Sequence, residues 1–289
     1  MSKPRISLIG YGRLGQQLTR WLATGGYSFE GIYSRGTLPM SPDVFQAKST
    51  GIFPSEKHEL GDLLILSVND ASISNIVEQL SSFDLNGICV VHTSGALPSN
   101  VLDPLRDKGA HIGAFHPLQT FGPVGKKNPF KGISISIEGD WKCIEMLLEM
   151  SRNLGAQPYQ TDARGKMLIH LACVWVSNYI QVLLQAAHAT GAPANMSSQQ
   201  LFTMLRPLID QAIDNATEIG PANALTGPAS RADSITIEQH LQILEAHPKF
   251  RALYVYLALK AASMAQERGS LDTSKLELLK MVLNPDENL

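Results

Sequence analysis

A short apolar run, Ile6–Ile9, leads directly into the segment Gly10-Tyr11-Gly12-Arg13-Leu14-Gly15, and an amphipathic stretch follows it. Three glycines at this spacing, between a strand and a helix, are typical of a βαβ unit that binds a dinucleotide. The first glycine permits a tight turn, the second lets a pyrophosphate approach the backbone, and the third lets the helix pack closely on the strand. We therefore predict that these six residues hold the pyrophosphate.

The residues after the second predicted strand, Phe29–Tyr33, indicate which dinucleotide is bound. NAD-binding proteins carry an acid at this point, roughly 20 residues after the glycines, where it accepts a hydrogen bond from the adenosine ribose. Here the chain has Ser34 and Arg35, which suit the 2′-phosphate of NADP. We predict NADP(H) as the cofactor. Two alternatives stay open: Arg35 is a solvated loop charge, or Arg13 and Arg35 stack on the adenine.

The composition excludes some functions and compartments. The 289 residues carry a net charge of −2, without the clustered basic excess that nucleic-acid binding requires. Cys89, Cys143 and Cys173 are far apart and form no C-x-x-C pair, which predicts free thiols and no metal site. The N-terminus does not resemble a signal peptide, and we expect no apolar run of membrane-spanning length. We therefore expect a cytoplasmic protein.

The hydrophobic pattern predicts two domains. Up to residue 160, short apolar runs alternate with helical segments, which predicts an α/β domain with a doubly wound, mostly parallel sheet. A short helix is predicted near residues 42–47. The alternation of isoleucine and serine over residues 133–137 predicts a half-solvated strand at the sheet margin.

Residues 161–289 are predicted to form an all-α domain, with a frayed end from Pro285 onward. Its first helix, 163–190, carries apolar residues around almost its whole circumference. It should therefore be buried in the domain's core or in a subunit interface. Three more helices are predicted, near residues 197–217, 237–246 and 250–269.

The sheet topology predicts where a ligand binds. In an open parallel sheet, ligands lie beyond the carboxyl ends of the strands, at the point where strand order reverses. Residues after the strands that follow the glycine-rich segment should therefore approach the nicotinamide. The predicted cofactor contacts of this edge are Val68, Asn69, Asp70, Thr93, Ser94 and Gly95.

His116 is the best candidate for a catalytic group. It ends a strand, is followed by Pro117, and can change protonation near neutral pH, so it could transfer a proton as hydride moves. Ser94 could offer its hydroxyl to a carboxamide or a substrate carboxylate, and the alternative is an ordinary turn residue. His92, at the same strand end, is predicted to be structural.

The predicted helix 163–190 is mostly apolar, and the role of three of its polar residues, Lys166, His170 and Asn178, requires an explanation. Lys166 and His170 should lie about 6 Å apart along the axis, with Asn178 about 12 Å beyond His170. The three could face an extended site but could not contact one atom. The alternative is hydrogen bonding between helices, since buried polar groups must be paired. Arg231 is a weaker candidate for a substrate carboxylate.

Four segments resemble one known family. They are residues 92–96 (HTSGA), 113–121 (GAFHPLQTF), His170 with residues 177–179 (SNY), and residues 225–233 (LTGPASRAD). The chain resembles Rossmann-like proteins that carry a C-terminal domain of unknown function, DUF2520, and that are described as predicted NADP oxidoreductases. The resemblance covers nearly the whole chain. It implies an NADP(H) site and an oxidoreductase activity, without a substrate.

More distantly, the chain is similar to pyrroline-5-carboxylate reductase, which implies a helical C-terminal domain that dimerises. His116-Pro117 also resembles the His-Pro turn of prephenate dehydrogenases. Two features depart from relatives: His170 replaces the asparagine of the Lys-x3-Asn pair of β-hydroxyacid dehydrogenases, and residues 225–228 differ from the reductase's Thr-Ser-Pro-Gly-Gly loop. No relative's substrate is therefore carried over.

Together these observations predict an NADP(H)-dependent oxidoreductase acting on a small polar carbonyl, imine or alcohol. His116 or His170 would handle the proton, Asn178 and Ser94 would position the substrate, and Lys166 is a further catalytic candidate. We expect a homodimer through the helical domain, with neither nucleic acid nor membrane as a partner. The alternative hypothesis is a non-catalytic NADP(H)-binding redox sensor or regulator.

Overall fold

The computed structural model describes residues 3–36, 38, 47–191 and 196–283. Most of the short helix predicted near residues 42–47, and the frayed end predicted from Pro285, lie outside these residues. The chain divides into two compact units, Met1–Asn178 and Tyr179–Leu289. The division falls later than the predicted domain boundary at residue 160, because the helix that begins at Ala163 packs on the sheet of the first unit.

The first unit is built on one eight-stranded sheet with the order β3-β2-β1-β4-β5-β6-β7-β8. All neighbouring strands are parallel except β6 and β7, so the predicted doubly wound, mostly parallel sheet is confirmed. The strands are β1 (Ile6–Ile9), β2 (Phe29–Tyr33), β3 (Ser49–Gly51), β4 (Leu63–Leu66), β5 (Cys89–His92), β6 (His111–Pro117), β7 (Ser134–Gly139) and β8 (Gln157–Gln160).

Helices cover both faces of this sheet. Because successive residues of a strand point to opposite faces, Leu8 and Ile9 of β1 enter two different buried clusters. Leu18 and Leu147 pack in the first cluster, and Leu102 packs in the second. The helices of this unit are α1 (Arg13–Thr24), α2 (Asp70–Leu80), α3 (Trp141–Asn153) and α4 (Ala163–Cys173), with 3₁₀ helices at Lys57–Leu60 and Ser99–Lys108.

Strand β7 corrects one prediction. The isoleucine–serine alternation was expected to mark a half-solvated strand at the sheet margin, but β8 lies outside β7 in the sheet. Ser136 is 0% exposed, and Ser134, at the start of the strand, is exposed. The alternation therefore separates an apolar face, with Ile135 and Ile137, from a buried polar face.

The long helix predicted at 163–190 is present in three segments: α4, a π-helical turn at Val174–Asn178, and α5 (Tyr179–Gly191). Its predicted burial in the core of the helical domain is not observed, since Leu168, Trp175 and Val176 are 58%, 63% and 75% exposed. The helix spans 29 residues, and an 18-residue window within it has a mean hydropathy of 1.7, so by length and composition alone it could cross a membrane. The expectation that no run reaches spanning length was therefore wrong.

The second unit is helical in its described residues, as predicted. Small and branched apolar side chains form its core, among them Ile237, Ala262 and Leu279. Besides α5, its helices are α6 (Ser198–Ile219), α7 (Pro221–Ala224), α8 (Pro228–Arg231), α9 (Ser234–Leu244), α10 (Pro248–Glu267) and α11 (Thr273–Leu283). Helix α11 and the one-turn helices α7 and α8 were not predicted.

Candidate active site

In the turn between β1 and α1, two of the three glycines are required because a Cβ at either position would clash with the protein backbone. Gly10 has a φ of +102°, and a Cβ there would lie 2.2 Å from the carbonyl oxygen of Ser67. A Cβ at Gly15 would lie 2.2 Å from the carbonyl oxygen of Gly10. At Gly12, by contrast, a Cβ would meet no atom of the described residues within 4 Å. The open backbone at Gly12 therefore fits a ligand that approaches closely, as a pyrophosphate does.

Helix α1 presents its N-terminus to the same place. Its N-cap, Gly12, offers no side chain to the first turn, and that turn contains no acidic residue. The first N–H groups of the helix therefore lack a side-chain cap and are suited to bind an anion.

A cavity of about 650 Å³ extends from this turn along the carboxyl ends of β1, β2 and β4. Ser34 and Arg35 line it, and no carboxylate is among the described residues that do. Glu30, the second residue of β2, is 5% exposed and accepts a hydrogen bond from Lys48 Nζ at 2.8 Å. This acid is therefore engaged elsewhere, and the lining fits a ribose 2′-phosphate better than a free 2′-hydroxyl. Arg13 does not line this cavity.

A second cavity, of about 420 Å³, continues the crevice past β4, β5 and β6, and shares Gly12 and Val68 with the first. The two cavities together are lined by all the predicted cofactor residues except Gly15, which is buried beneath the turn. The first is lined by Gly10, Tyr11, Gly12, Ser34, Arg35, Val68 and Asn69, and the second by Gly12, Arg13, Leu14, Val68, Asp70, Thr93, Ser94 and Gly95.

His116 and His170 meet in the second cavity. Their ring centroids lie 5.7 Å apart in an edge-to-face arrangement. A Cβ at Gly95 would lie 2.4 Å from His170 Nδ1 and 2.7 Å from His116 Nε2, so both rings close over this glycine. Burial, followed by the charge of Lys166, lowers the pKa of His116 to about 4. At neutral pH the His116 ring is therefore uncharged.

Lys166 lies behind this cavity and is 1% exposed. Its Nζ donates to the carbonyl oxygens of Ser94, at 2.6 Å, of Gly95, at 3.1 Å, and of Leu97. Burial lowers its pKa to about 8, which the charges of Glu138 and Asp70 partly oppose. Because three carbonyls use the three hydrogens of the ammonium, Lys166 holds the turn after β5. A positioning role fits this geometry better than the predicted catalytic one.

The turn after β5 also contains the hydrogen-bond partners of His92 and of Ser94. The Nε2 atom of His92 lies 3.1 Å from the carbonyl oxygen of Pro98, and its Nδ1 lies 3.2 Å from the amide nitrogen of Ser94. The ring thus donates through Nε2 and accepts through Nδ1, as a structural histidine would. Ser94 Oγ accepts from the Leu97 amide at 3.0 Å, which is ordinary turn chemistry, although its own hydrogen is still available within the cavity.

The structure does not bring Asn178 into either cavity. Asn178 ends the π-helical turn, is exposed, and accepts a hydrogen bond from Ser177 Oγ at 2.8 Å. Conversely, sequence reasoning missed Ser136 and Glu138, which lie on the same face of the sheet as His116. The expectation of a half-solvated strand concealed them. The useful signal would have been Glu138, the one charged residue in a strand otherwise made of serine, isoleucine and glycine.

Comparisons with known proteins agree with this architecture. BF3122 of Bacteroides fragilis, a candidate NADP oxidoreductase, is 26% identical with a TM-score of 0.76, over 90% of this chain and 98% of that one. A reductive aminase from Aspergillus terreus, solved with NADPH and ethyl-5-oxohexanoate, is 16% identical with a TM-score of 0.63, over 99% of this chain and 94% of that one. Pyrroline carboxylate reductase from Plasmodium falciparum, solved with NADP, is 11% identical with a TM-score of 0.58, over 98% of this chain and 99% of that one.

Family models describe most of the chain, although no curated protein matches it. Residues 1–117 match a Rossmann-like domain. Residues 133–261 match a domain of unknown function, DUF2520. These are the two parts that the motifs around His92, His116 and His170 predicted. The chain is thus a Rossmann-like protein that carries a DUF2520 domain.

Proposed function

We propose that this protein is an NADP(H)-dependent oxidoreductase that transfers hydride to or from a small polar carbonyl, imine or alcohol. One observation carries the proposal: the glycine turn and Arg35 line a crevice that continues into a cavity containing His116 and His170. A similar protein, BF3122, is a candidate NADP oxidoreductase, and two similar folds were solved with NADPH and NADP.

In this proposal the cofactor supplies or accepts the hydride, and the protein binds, orients and manages the proton. The N-terminus of α1 holds the pyrophosphate, and Arg35 pairs with the 2′-phosphate. His116, neutral at pH 7, can accept a proton at Nε2 when an alcohol or amine is oxidised, and can return it in the reverse direction. His170 faces the same point from α4 and is the second candidate for this role.

The regulatory alternative finds less support. A redox sensor has no need for two imidazoles that meet in a cavity beside the predicted nicotinamide position, whereas an enzyme requires an ionisable group there. No observation on the described part of the chain favours the sensor.

Binding of the four nicotinamide nucleotides tests the proposed function. We expect NADPH to raise the midpoint of thermal unfolding by about 5–10 °C, because a ligand at 100 times its Kd stabilises the native state by about 2.7 kcal/mol. Arg35→Asp should remove most of the NADPH effect and change any NADH effect little. Arg152→Asp, on an exposed position of α3, is the matched charge reversal. Equal losses for NADPH and NADH would refute the assigned contact, and no shift with any nucleotide would refute the function.

We further propose a cytoplasmic homodimer that associates through its helical part. The exposed apolar side chains of the long helix, including Leu168, Leu171 and Val176, are the expected contact. Sedimentation at micromolar concentration should give about twice the chain mass of 31.4 kDa. A monomer at that concentration would contradict the proposal. Val176→Glu should weaken the association, because a charge would then have to be buried.

A further inference from the structure

Among the residues that the structure describes, four buried polar atoms at or near the two histidines have no hydrogen-bond partner. They are His116 Nδ1, Ser136 Oγ, Glu138 Oε2 and His170 Nδ1. Buried polar groups in folded proteins are normally paired, so each such atom requires an explanation. Three of the four belong to neighbouring positions on one face of the sheet, which suggests a single explanation for them.

The ladder between β6 and β7 sets these three residues in a row. His116 and Ser136 are directly opposite each other in an antiparallel pair. Such partners point to the same face, with Cβ atoms about 4.5–5.5 Å apart. Glu138 follows Ser136 by two residues and therefore points to that face as well. Ser136 is 0% exposed and Glu138 is 7% exposed, so the row is shielded from water.

Hydrogen bonds along this row can satisfy Glu138 in one direction only, from His116 through Ser136 to Glu138. Glu138 Oε1 accepts from the amide and hydroxyl of Ser99, at 2.8 and 2.6 Å, while Oε2 of the carboxylate form can only accept and lacks a donor. Lys166 cannot supply that donor, because three carbonyls use its hydrogens. The Ser136 hydroxyl can, and its oxygen then remains free to accept from an N–H of His116. The opposite direction would leave Glu138 Oε2 without a donor.

We propose that Ser136 and Glu138 are positioning residues that hold His116 in the tautomer with its hydrogen on Nδ1. The structure leaves these atoms unpaired, so the proposal requires the Ser136 and Glu138 side chains to rotate until Nδ1–H meets Ser136 Oγ and Ser136 O–H meets Glu138 Oε2. The His116 Nε2 atom, which faces Gly95 and the cavity, is then a hydrogen-bond acceptor. In reactive histidines, a hydrogen bond from one ring nitrogen to a neighbouring residue commonly fixes which nitrogen carries the hydrogen.

The Nδ1–H tautomer of His116 would also restrict the substrate class. This step rests on the proposed function. An accepting Nε2 favours a substrate whose reacting atom carries a hydrogen, which means an alcohol or a protonated imine. A ketone or aldehyde oxygen carries no hydrogen and would require a donor instead.

The charges around His116 are compatible with a neutral ring of defined tautomer. Lys166 and His170 face it from α4, His92 from β5 and Asp70 from α2. Lys166, His170 and His92 oppose its protonation, and Asp70 favours it. Burial is the largest influence and, with these charges, lowers the pKa to about 4. The ring therefore carries a single hydrogen at pH 7, and the question of which nitrogen holds it is well defined.

Long-range ¹H–¹⁵N NMR on the full chain, labelled with ¹⁵N-histidine, reports the tautomer directly. The signals of His116 are assigned by their loss in His116→Gln. We expect a protonated Nδ1 and an unprotonated Nε2 in the wild type at pH 7. Ser136→Ala and Glu138→Gln should remove this preference, whereas Ser136→Thr, which keeps the hydroxyl, should retain it. Ser134→Ala is the matched control, because Ser134 is exposed on the same strand.

A wild-type His116 with its hydrogen on Nε2 would overturn the inference. A folded Ser136→Ala with an unchanged His116 spectrum would also overturn it. If Ser136→Ala does not fold, the wild-type spectrum and Glu138→Gln decide the question.

NADPH binding is measured by thermal unfolding on the same wild-type sample. An Nε2–H tautomer in a protein that binds NADPH would overturn this inference and leave the proposed function standing. Failure to bind NADPH would overturn the proposed function and leave the tautomer assignment standing.

Discussion

Replacement of Gly95 by alanine is expected to lower kcat/KM by about 100-fold or more, while the protein still folds and still binds NADPH. The new Cβ would lie 2.4 Å from His170 Nδ1 and 2.7 Å from His116 Nε2, well inside van der Waals contact. Gly95 does not have a positive φ, so its backbone accepts a side chain without strain. The rings must move instead, and a displacement of about 1 Å in an active site can reduce the rate 100-fold.

The experiment follows NADPH oxidation in the presence of cyclic imines and small ketones, and NADPH formation with alcohols. Gly125→Ala is the matched control, because a Cβ at Gly125 would meet no atom within 4 Å. Thermal unfolding with NADPH reports folding and cofactor binding in each variant. Wild-type turnover in folded Gly95→Ala would mean that neither His116 nor His170 must hold its observed position, and the proposed site would be wrong.

The turn and the strand ends that carry the predicted cofactor residues could be placed from the sequence because their determinants are local. Gly10 and Gly15 are required by the turn itself, and Arg35 is the second residue after the end of β2. Short apolar runs such as Leu63–Leu66 indicate strands covered on both faces, and this sufficed for the parallel sheet. Each of these inferences required only the neighbouring residues and the general rule that ligands bind at the carboxyl ends of parallel strands.

The surroundings of the predicted catalytic residues depend on contacts between distant parts of the chain, which the sequence does not reveal. The serines of β7 were expected to meet solvent, but β8 borders β7 and Ser136 lies on a buried face. Lys166 was expected to act on the substrate, whereas it binds carbonyls about 70 positions earlier in the chain. The polarity of these residues was visible in the sequence, but their partners were not.

The contacts of polar residues on the long helix could not be predicted from the sequence either. The axial spacing of Lys166, His170 and Asn178 was estimated from an ideal α-helix, which says nothing about which of them a neighbouring element covers. His170 meets His116 across Gly95, while Asn178 ends a π-helical turn and is exposed. Helix α11, with Leu276, Leu279 and Leu283 buried, has a regular apolar spacing that was detectable and was missed.

Lys166→Met is expected to lower the free energy of unfolding by about 3–5 kcal/mol, equivalent to a fall of about 10 °C in the midpoint of thermal unfolding. The reason is that the carbonyl oxygens of Ser94, Gly95 and Leu97 would lose their shared donor. Methionine fills a similar volume, so the loss would come from the unpaired carbonyls and not from a cavity. Denaturant unfolding at 25 °C measures the change. Lys275→Met, in an exposed pair with Asp272, is the matched control and should cost less than about 1 kcal/mol.

This substitution separates the two possible roles of Lys166. If Lys166 acted on the substrate and its carbonyl contacts added little to stability, methionine would abolish turnover while the free energy of unfolding stayed nearly unchanged. If Lys166 holds the turn, stability and turnover should fall together, because Gly95 and both imidazoles depend on the geometry of that turn. NADPH binding near Arg35 should persist in either case, since Lys166 does not line the first cavity, which contains Arg35. An unchanged unfolding free energy would therefore contradict the positioning role and return Lys166 to the list of catalytic candidates.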